Sequence, residues 1–133
     1  MLRLALLLDR NDYRERAGEV LEEMGGGMEK IPSAFGRLIA ALDFATSGTR
    51  EVAIIGDPKA PDTKALIDTV YARYLPNKVV AGRRDADAES AGLIPLLAQR
   101  PARDDRATAY VCEGYACQAP TTDPEELARQ LDG

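Results

Sequence analysis

Near residue 48 the hydrophobic period of the sequence changes, and this limits the chain to a helical segment followed by an α/β domain. Before that point apolar residues recur at helical spacing. Residues 1–8 are apolar almost all round, which predicts a helix buried on most sides. Asn11 or Asp12 can cap a second helix carrying Tyr13, Ala17, Val20, Leu21 and Met24, and Gly25-Gly26-Gly27 is expected to end it. Pro32 and Ser33 open a third, with Phe35, Leu38, Ile39, Leu42 and Phe44 as its apolar residues. Thr46-Ser47-Gly48-Thr49 then reads as a linker, which predicts domains at 1–48 and 49–133.

Beyond the linker, short β-branched runs alternate with helical patterns. Residues 51–55 form a buried strand closed by Gly56. After the loop Gly56-Asp57-Pro58-Lys59-Ala60-Pro61, Asp62 or Thr63 is expected to cap a helix running to about Leu75, with Leu66, Val70 and Tyr74 on one stripe. Residues 78–81 make a second strand. Residues 87–99 read as a helix that Pro95 kinks or restarts. Residues 108–112 and 116–119 read as two strands joined at Glu113-Gly114-Tyr115. Pro124 starts the last helix, at 125–131. The order is β-α-β-α-β-β-α. A right-handed crossover makes the first two strands parallel neighbours, and the last two form an antiparallel hairpin. A mixed sheet of this kind has the layout of a thioredoxin-like α/β domain, with half of a Rossmann-like fold as the alternative.

Composition removes several function classes. The 133 residues contain no histidine, which excludes the Ser-His-Asp and Cys-His constellations. Two cysteines without histidine cannot close a structural zinc site, so no metal is expected. A net charge of −5, with basic residues interleaved among acids as in Arg83-Arg84-Asp85 and Arg103-Asp104-Asp105-Arg106, argues against nucleic acid. Aromatics at 5% and no tryptophan leave few stacking platforms. The apolar N-terminal run is far shorter than the roughly 20 residues a membrane span needs and has no cleavage site after it. A cytoplasmic location and no membrane contact are therefore expected.

Cys112-Glu113-Gly114-Tyr115-Ala116-Cys117 is the most suggestive segment. A turn centred on Gly114-Tyr115 would set the cysteines opposite one another across a hairpin, near enough for a disulfide if geometry allows. A thioredoxin-type pair is instead Cys-x-x-Cys at a helix N-terminus. The equivalent place after the first strand reads Gly56-Asp57-Pro58-Lys59 and has no cysteine. Structural thiols, a regulatory disulfide and a thiol-disulfide redox role all stay open for Cys112 and Cys117. The loop carrying Gly56, Asp57, Asp62 and Thr63 lies at a strand C-terminus, where α/β folds bind ligands. It lacks both phosphate-binding glycine motifs, and a tight strand-to-helix connection is the better reading. Asp104-Asp105 and Glu125-Glu126 fall in a polar loop and a first helical turn, where acids suit the helix dipole. No catalytic residue is assigned.

Four ordered stretches carry a family resemblance. They are Asp12-Tyr13-Arg14-Glu15-Arg16-Ala17, Pro32-Ser33-Ala34-Phe35 with Ala40-Ala41-Leu42-Asp43-Phe44, Arg50 to Pro58, and Thr108-Ala109-Tyr110-Val111-Cys112 through Pro124. Together they resemble the C-terminal end of YyaL-type proteins, the bacterial relatives of the spermatogenesis-associated thioredoxin-domain proteins. The resemblance implies a longer parent, with an N-terminal thioredoxin-like domain and a central α/α toroid similar to N-acylglucosamine 2-epimerases. Residues 1–48 would close that toroid. The family often has proline immediately before the Thr-Ala-Tyr-Val-Cys strand, where this chain has Ala107. The parent's redox motif and epimerase-like pocket have no counterpart in these residues, so no cofactor is expected. The implied role is a non-catalytic accessory or assembly domain, partnered by the remainder of the parent. Self-association through the helical segment is expected as well.

Overall fold

The structure is a computed structural model that describes residues 1–114 and 116–133. The chain folds as two compact units, Met1–Gly48 and Thr49–Gly133. The first unit holds α1 (Leu2–Leu7), α2 (Asn11–Lys30), a single 3-10 turn at Pro32–Ala34 and α3 (Gly36–Thr46). Two expectations fail in it. Gly25-Gly26-Gly27 does not end a helix, because α2 runs on to Lys30. Each internal glycine costs about 1 kcal/mol relative to alanine, but continuing the helix buries Met28. It also brings the Phe35 ring to 3.0 Å from where a Cβ on Gly27 would stand, so the missing side chain is what lets that ring lie there. The second failure is α1, where only Ala5 is buried while Leu4 and Leu8 are 48% and 38% exposed.

The second unit is α/β, with β1 (Arg50–Ile55), α4 (Pro61–Tyr71), β2 (Lys78–Arg83), α5 (Ala88–Leu93), a 3-10 turn at Pro95–Leu97, β3 (Thr108–Glu113), β4 (Ala116–Cys117) and α6 (Pro124–Asp132). The strands form one mixed sheet in the order β2-β1-β3-β4. β1 and β2 are parallel, β3 is antiparallel to β1, and β4 is antiparallel to β3. Order and directions are consistent with a thioredoxin-like α/β fold. One face of the sheet packs α4 and α6 through Val52, Ile54, Leu66, Val111, Leu127 and Leu131, all buried. The other face carries Ala53, Ile55 and Tyr110 by strand alternation and meets the buried Leu96 and Leu97 of the 3-10 turn.

Helix boundaries depart from the sequence reading where proline or packing decides them. Pro61 occupies the first helical position, where its fixed φ suits the helix and its missing N–H costs nothing. Ala60 is therefore the N-cap, and neither Asp62 nor Thr63 caps α4. The helix stops at Tyr71 instead of near Leu75, which leaves Tyr74 91% exposed and off the apolar stripe. Residues 87–99 are not one helix. Asp87 caps α5 through the Ser90 N–H, and Pro95 starts a separate 3-10 turn. Strand β2 extends to Arg83, two residues beyond the expected end, because β1 supplies a parallel partner for every residue.

Candidate functional site

Cys112 lies on β3 and Cys117 on β4, and the ladder places them directly opposite each other. They are joined by a disulfide with S–S 2.08 Å and Cα atoms 4.0 Å apart. Gly114 takes φ +55° in the connection, a conformation that suits glycine, while Tyr115 lies outside the described residues. Cys112 is buried at 4% exposure, whereas Cys117 is exposed. Both sulfurs receive Arg100, whose Nη2 lies 3.3 Å from Cys112 Sγ and 3.5 Å from Cys117 Sγ.

Three contacts fix Arg100 in that position. Its Nη1 donates to the Leu96 carbonyl, and its own carbonyl accepts from Arg83 Nη2 at 2.8 Å. Its guanidinium stands 5.8 Å from the centre of the Tyr110 ring, whose hydroxyl donates to the Pro101 carbonyl at 2.7 Å. The spacing of the cysteines marks them as candidates. Nothing in the sequence marks Arg100, which arrives from the segment after the 3-10 turn through long-range packing.

The Gly56, Asp57, Asp62 and Thr63 set does not converge. Gly56 and Thr63 line a cleft of about 630 Å³ between α4 and the edge strand β2, where Ile67 and Val80 add apolar surface and Arg84 a charge. Asp57 instead accepts from the Lys59 N–H and pairs with Arg84 at 3.5 Å. Asp62 is occupied with backbone. Its carboxylate accepts from Ala107 N at 2.8 Å and from Thr63 N at 2.8 Å, tying the start of α4 to the entrance of β3. Those two bonds, Ala107 first, hold the carboxyl below its ordinary value. The buried Thr63 Oγ1 has no hydrogen-bond partner among the described residues. No group of three or more Cys, Asp or Glu suited to a metal ion occurs among the described residues.

The lowered carboxyl of Asp62 makes a signed pH prediction. A folded value below the unfolded one means the stabilisation is complete above about pH 4 and is lost as pH falls through the folded value. Asp62→Ala is expected to cost about 1–2 kcal/mol at neutral pH, the usual size for a charged acceptor of two backbone N–H groups. In urea titrations the gap to wild type should shrink below about pH 4. A gap that stays constant with pH would show that charge plays no part in the link.

Against this geometry stand the chain's relatives. The chain is 35% identical over 133 residues to spermatogenesis-associated protein 20 of Homo sapiens, covering 98% of this chain and 17% of that protein. The protein of the same name from Mus musculus is 34% identical over the same span. The chain is thus similar along nearly its whole length to one stretch of spermatogenesis-associated protein 20. An uncharacterised protein of Caenorhabditis elegans is 25% identical over 129 residues, which are 96% of this chain. This chain spans only 17% of the length of each of these relatives. No family model matches the chain, and no solved structure matches it. No helix among the described residues is long and apolar enough to cross a membrane.

Proposed function

We propose that this chain is a non-catalytic accessory and assembly domain of a longer cytoplasmic protein in the spermatogenesis-associated protein 20 and YyaL-type family. One observation carries the reading: nearly the whole chain, 98%, aligns with 17% of a much longer relative. In this reading residues 1–48 are the closing helices of an α/α toroid, and 49–133 form an accessory domain partnered by the remainder of the parent. The helical unit supports a packing role. Leu4, Val20, Ile31 and Leu42 are each 40% or more exposed, apolar surface that a packing partner would cover. Self-association through those helices is part of the same proposal.

One purified sample tests both parts. The chain is expected to show no catalytic turnover in insulin-disulfide reduction or sugar epimerisation, and light scattering at high concentration is expected to find more than one copy per particle. Turnover that disappears in a Cys112→Ser/Cys117→Ser variant would overturn the non-catalytic reading. A strictly monomeric particle would overturn the assembly part.

A further inference from the structure

The two cysteines of the disulfide differ in exposure, Cys112 buried and Cys117 exposed, while one cation contacts both sulfurs. Cys117 sits on a strand of only two residues, both exposed, held to β3 by the pairs Cys112–Cys117 and Glu113–Ala116. Cys112 lies among buried residues of β3. The nearest carboxylate along the strand, Glu113, is engaged by Arg50 at 3.1 Å. Arg100 Nη2 thus stands beside the sulfur pair, the bond from its Nη1 to the Leu96 carbonyl holds the guanidinium there, and Arg83 holds the Arg100 backbone through its carbonyl.

We propose that Cys117 is a site of reversible S-thiolation by low-molecular-weight thiols, with Cys112 as the leaving and resolving sulfur and Arg100 as the residue that positions and neutralises it. Exchange begins with a thiolate attacking the more accessible sulfur in line with the S–S bond. The incoming sulfur bonds to Cys117 Sγ, the S–S bond breaks, and the electron pair leaves on Cys112 Sγ, where Arg100 compensates the charge. A second small thiolate then attacks the mixed disulfide. It departs as the small symmetrical disulfide and leaves Cys117 as a thiolate, which takes a proton from water. In the net reaction one protein disulfide is reduced to two thiols, and two small thiols are oxidised to one disulfide. In reverse, Cys112 attacks the sulfur of thiolated Cys117, expels the small thiol and closes the clasp. The opened form loses the covalent tie of β4 to β3, leaving that edge to its short ladder and the Gln118 N–H to Val111 carbonyl bond at 2.9 Å.

This does not depend on the accessory-domain reading, since stoichiometric exchange needs no turnover, and the assays that test each are separate. The test uses the whole chain, reduced and then freed of reductant, with the chromogenic aromatic disulfide dithionitrobenzoate as probe. Wild type is expected to release a first equivalent of coloured thiolate on attack by Cys117 and a second as Cys112 closes the intramolecular bond. Cys112→Ser, which keeps only the exposed thiol, should react at least about tenfold faster than Cys117→Ser. Arg100→Gln should slow the second release by about tenfold, and Arg100→Lys should recover most of it, because a point charge suffices to favour a thiolate. Equal rates in the two serine variants would overturn the assignment of Cys117, whatever Arg100 does. A second release at the wild-type rate in Arg100→Gln would overturn the role of Arg100. Mass spectrometry finding the mixed disulfide on Cys112 would overturn the proposal as a whole.

Discussion

Leu66→Ala is expected to lower the stability of the α/β unit by about 2–5 kcal/mol, the range for a buried leucine truncated in a packed core. Leu66 is fully buried on the inner stripe of α4. Its cluster draws Val52 and Ile54 from β1, Ala109 and Val111 from β3, and Leu127 and Leu131 from α6. The cavity would therefore be walled by three elements besides α4 itself. A wall of that kind cannot collapse without moving the sheet, which places the cost toward the upper part of the range. Ile67→Ala, one residue along and only partly buried, is the matched control and should cost clearly less. Urea unfolding followed by far-ultraviolet circular dichroism measures both. A loss below about 1 kcal/mol for Leu66→Ala would mean that α4 is not the packing partner of the sheet.

Much of this architecture is written in local pattern. The β-branched run Val52-Ala53-Ile54-Ile55 ends at a glycine, and helical stripes alternate with such runs, so the element order, the parallel first pair and the antiparallel hairpin are legible. Pro124 fixes a helix start because a fixed φ acts through one residue. The failures come where distant contacts outvote local preference. The triple glycine reads as a stop, yet α2 passes through it because Met28 and Phe35 find contacts that no local rule can see. Asp62 reads as a cap because its type and place suit one. The partner that decides its role, Ala107, lies 45 residues away.

The candidate site divides in the same way. Cys112 and Cys117 are suspect on spacing alone, since four intervening residues suit a hairpin that sets them opposite each other. Arg100 carries no such signal. It is one arginine among several in a polar stretch, and only the 3-10 turn that Pro95 starts, together with the Tyr110 ring, brings it to the sulfurs. Charge and identity are local properties of a sequence, while proximity across a sheet face is not.

Gly56→Ala is expected to destabilise the same unit by about 1–3 kcal/mol through overpacking, although the change adds a single methyl group. A Cβ on Gly56 would stand 2.4 Å from Thr63 Oγ1 and 2.9 Å from Ala107 Cβ, both well inside contact distance. Gly56 cannot easily retreat, since its N–H donates to the Arg83 carbonyl at 2.9 Å and holds it to β2. On the opposing side, the Asp62 carboxylate fixes Ala107 N and Thr63 N together. Space and not backbone conformation is the cause, which gives the prediction a signature. Thr63→Ala removes the closest clashing atom, and with it a buried hydroxyl that has no partner among the described residues, so alone it should cost less than an ordinary core truncation. Gly56→Ala/Thr63→Ala should then recover part of the loss, with the pair more stable than the sum of the single changes by about 0.5–2 kcal/mol. Strict additivity in a double-mutant cycle would mean that the strand end and the helix start are not in the close contact that makes glycine necessary at this bend.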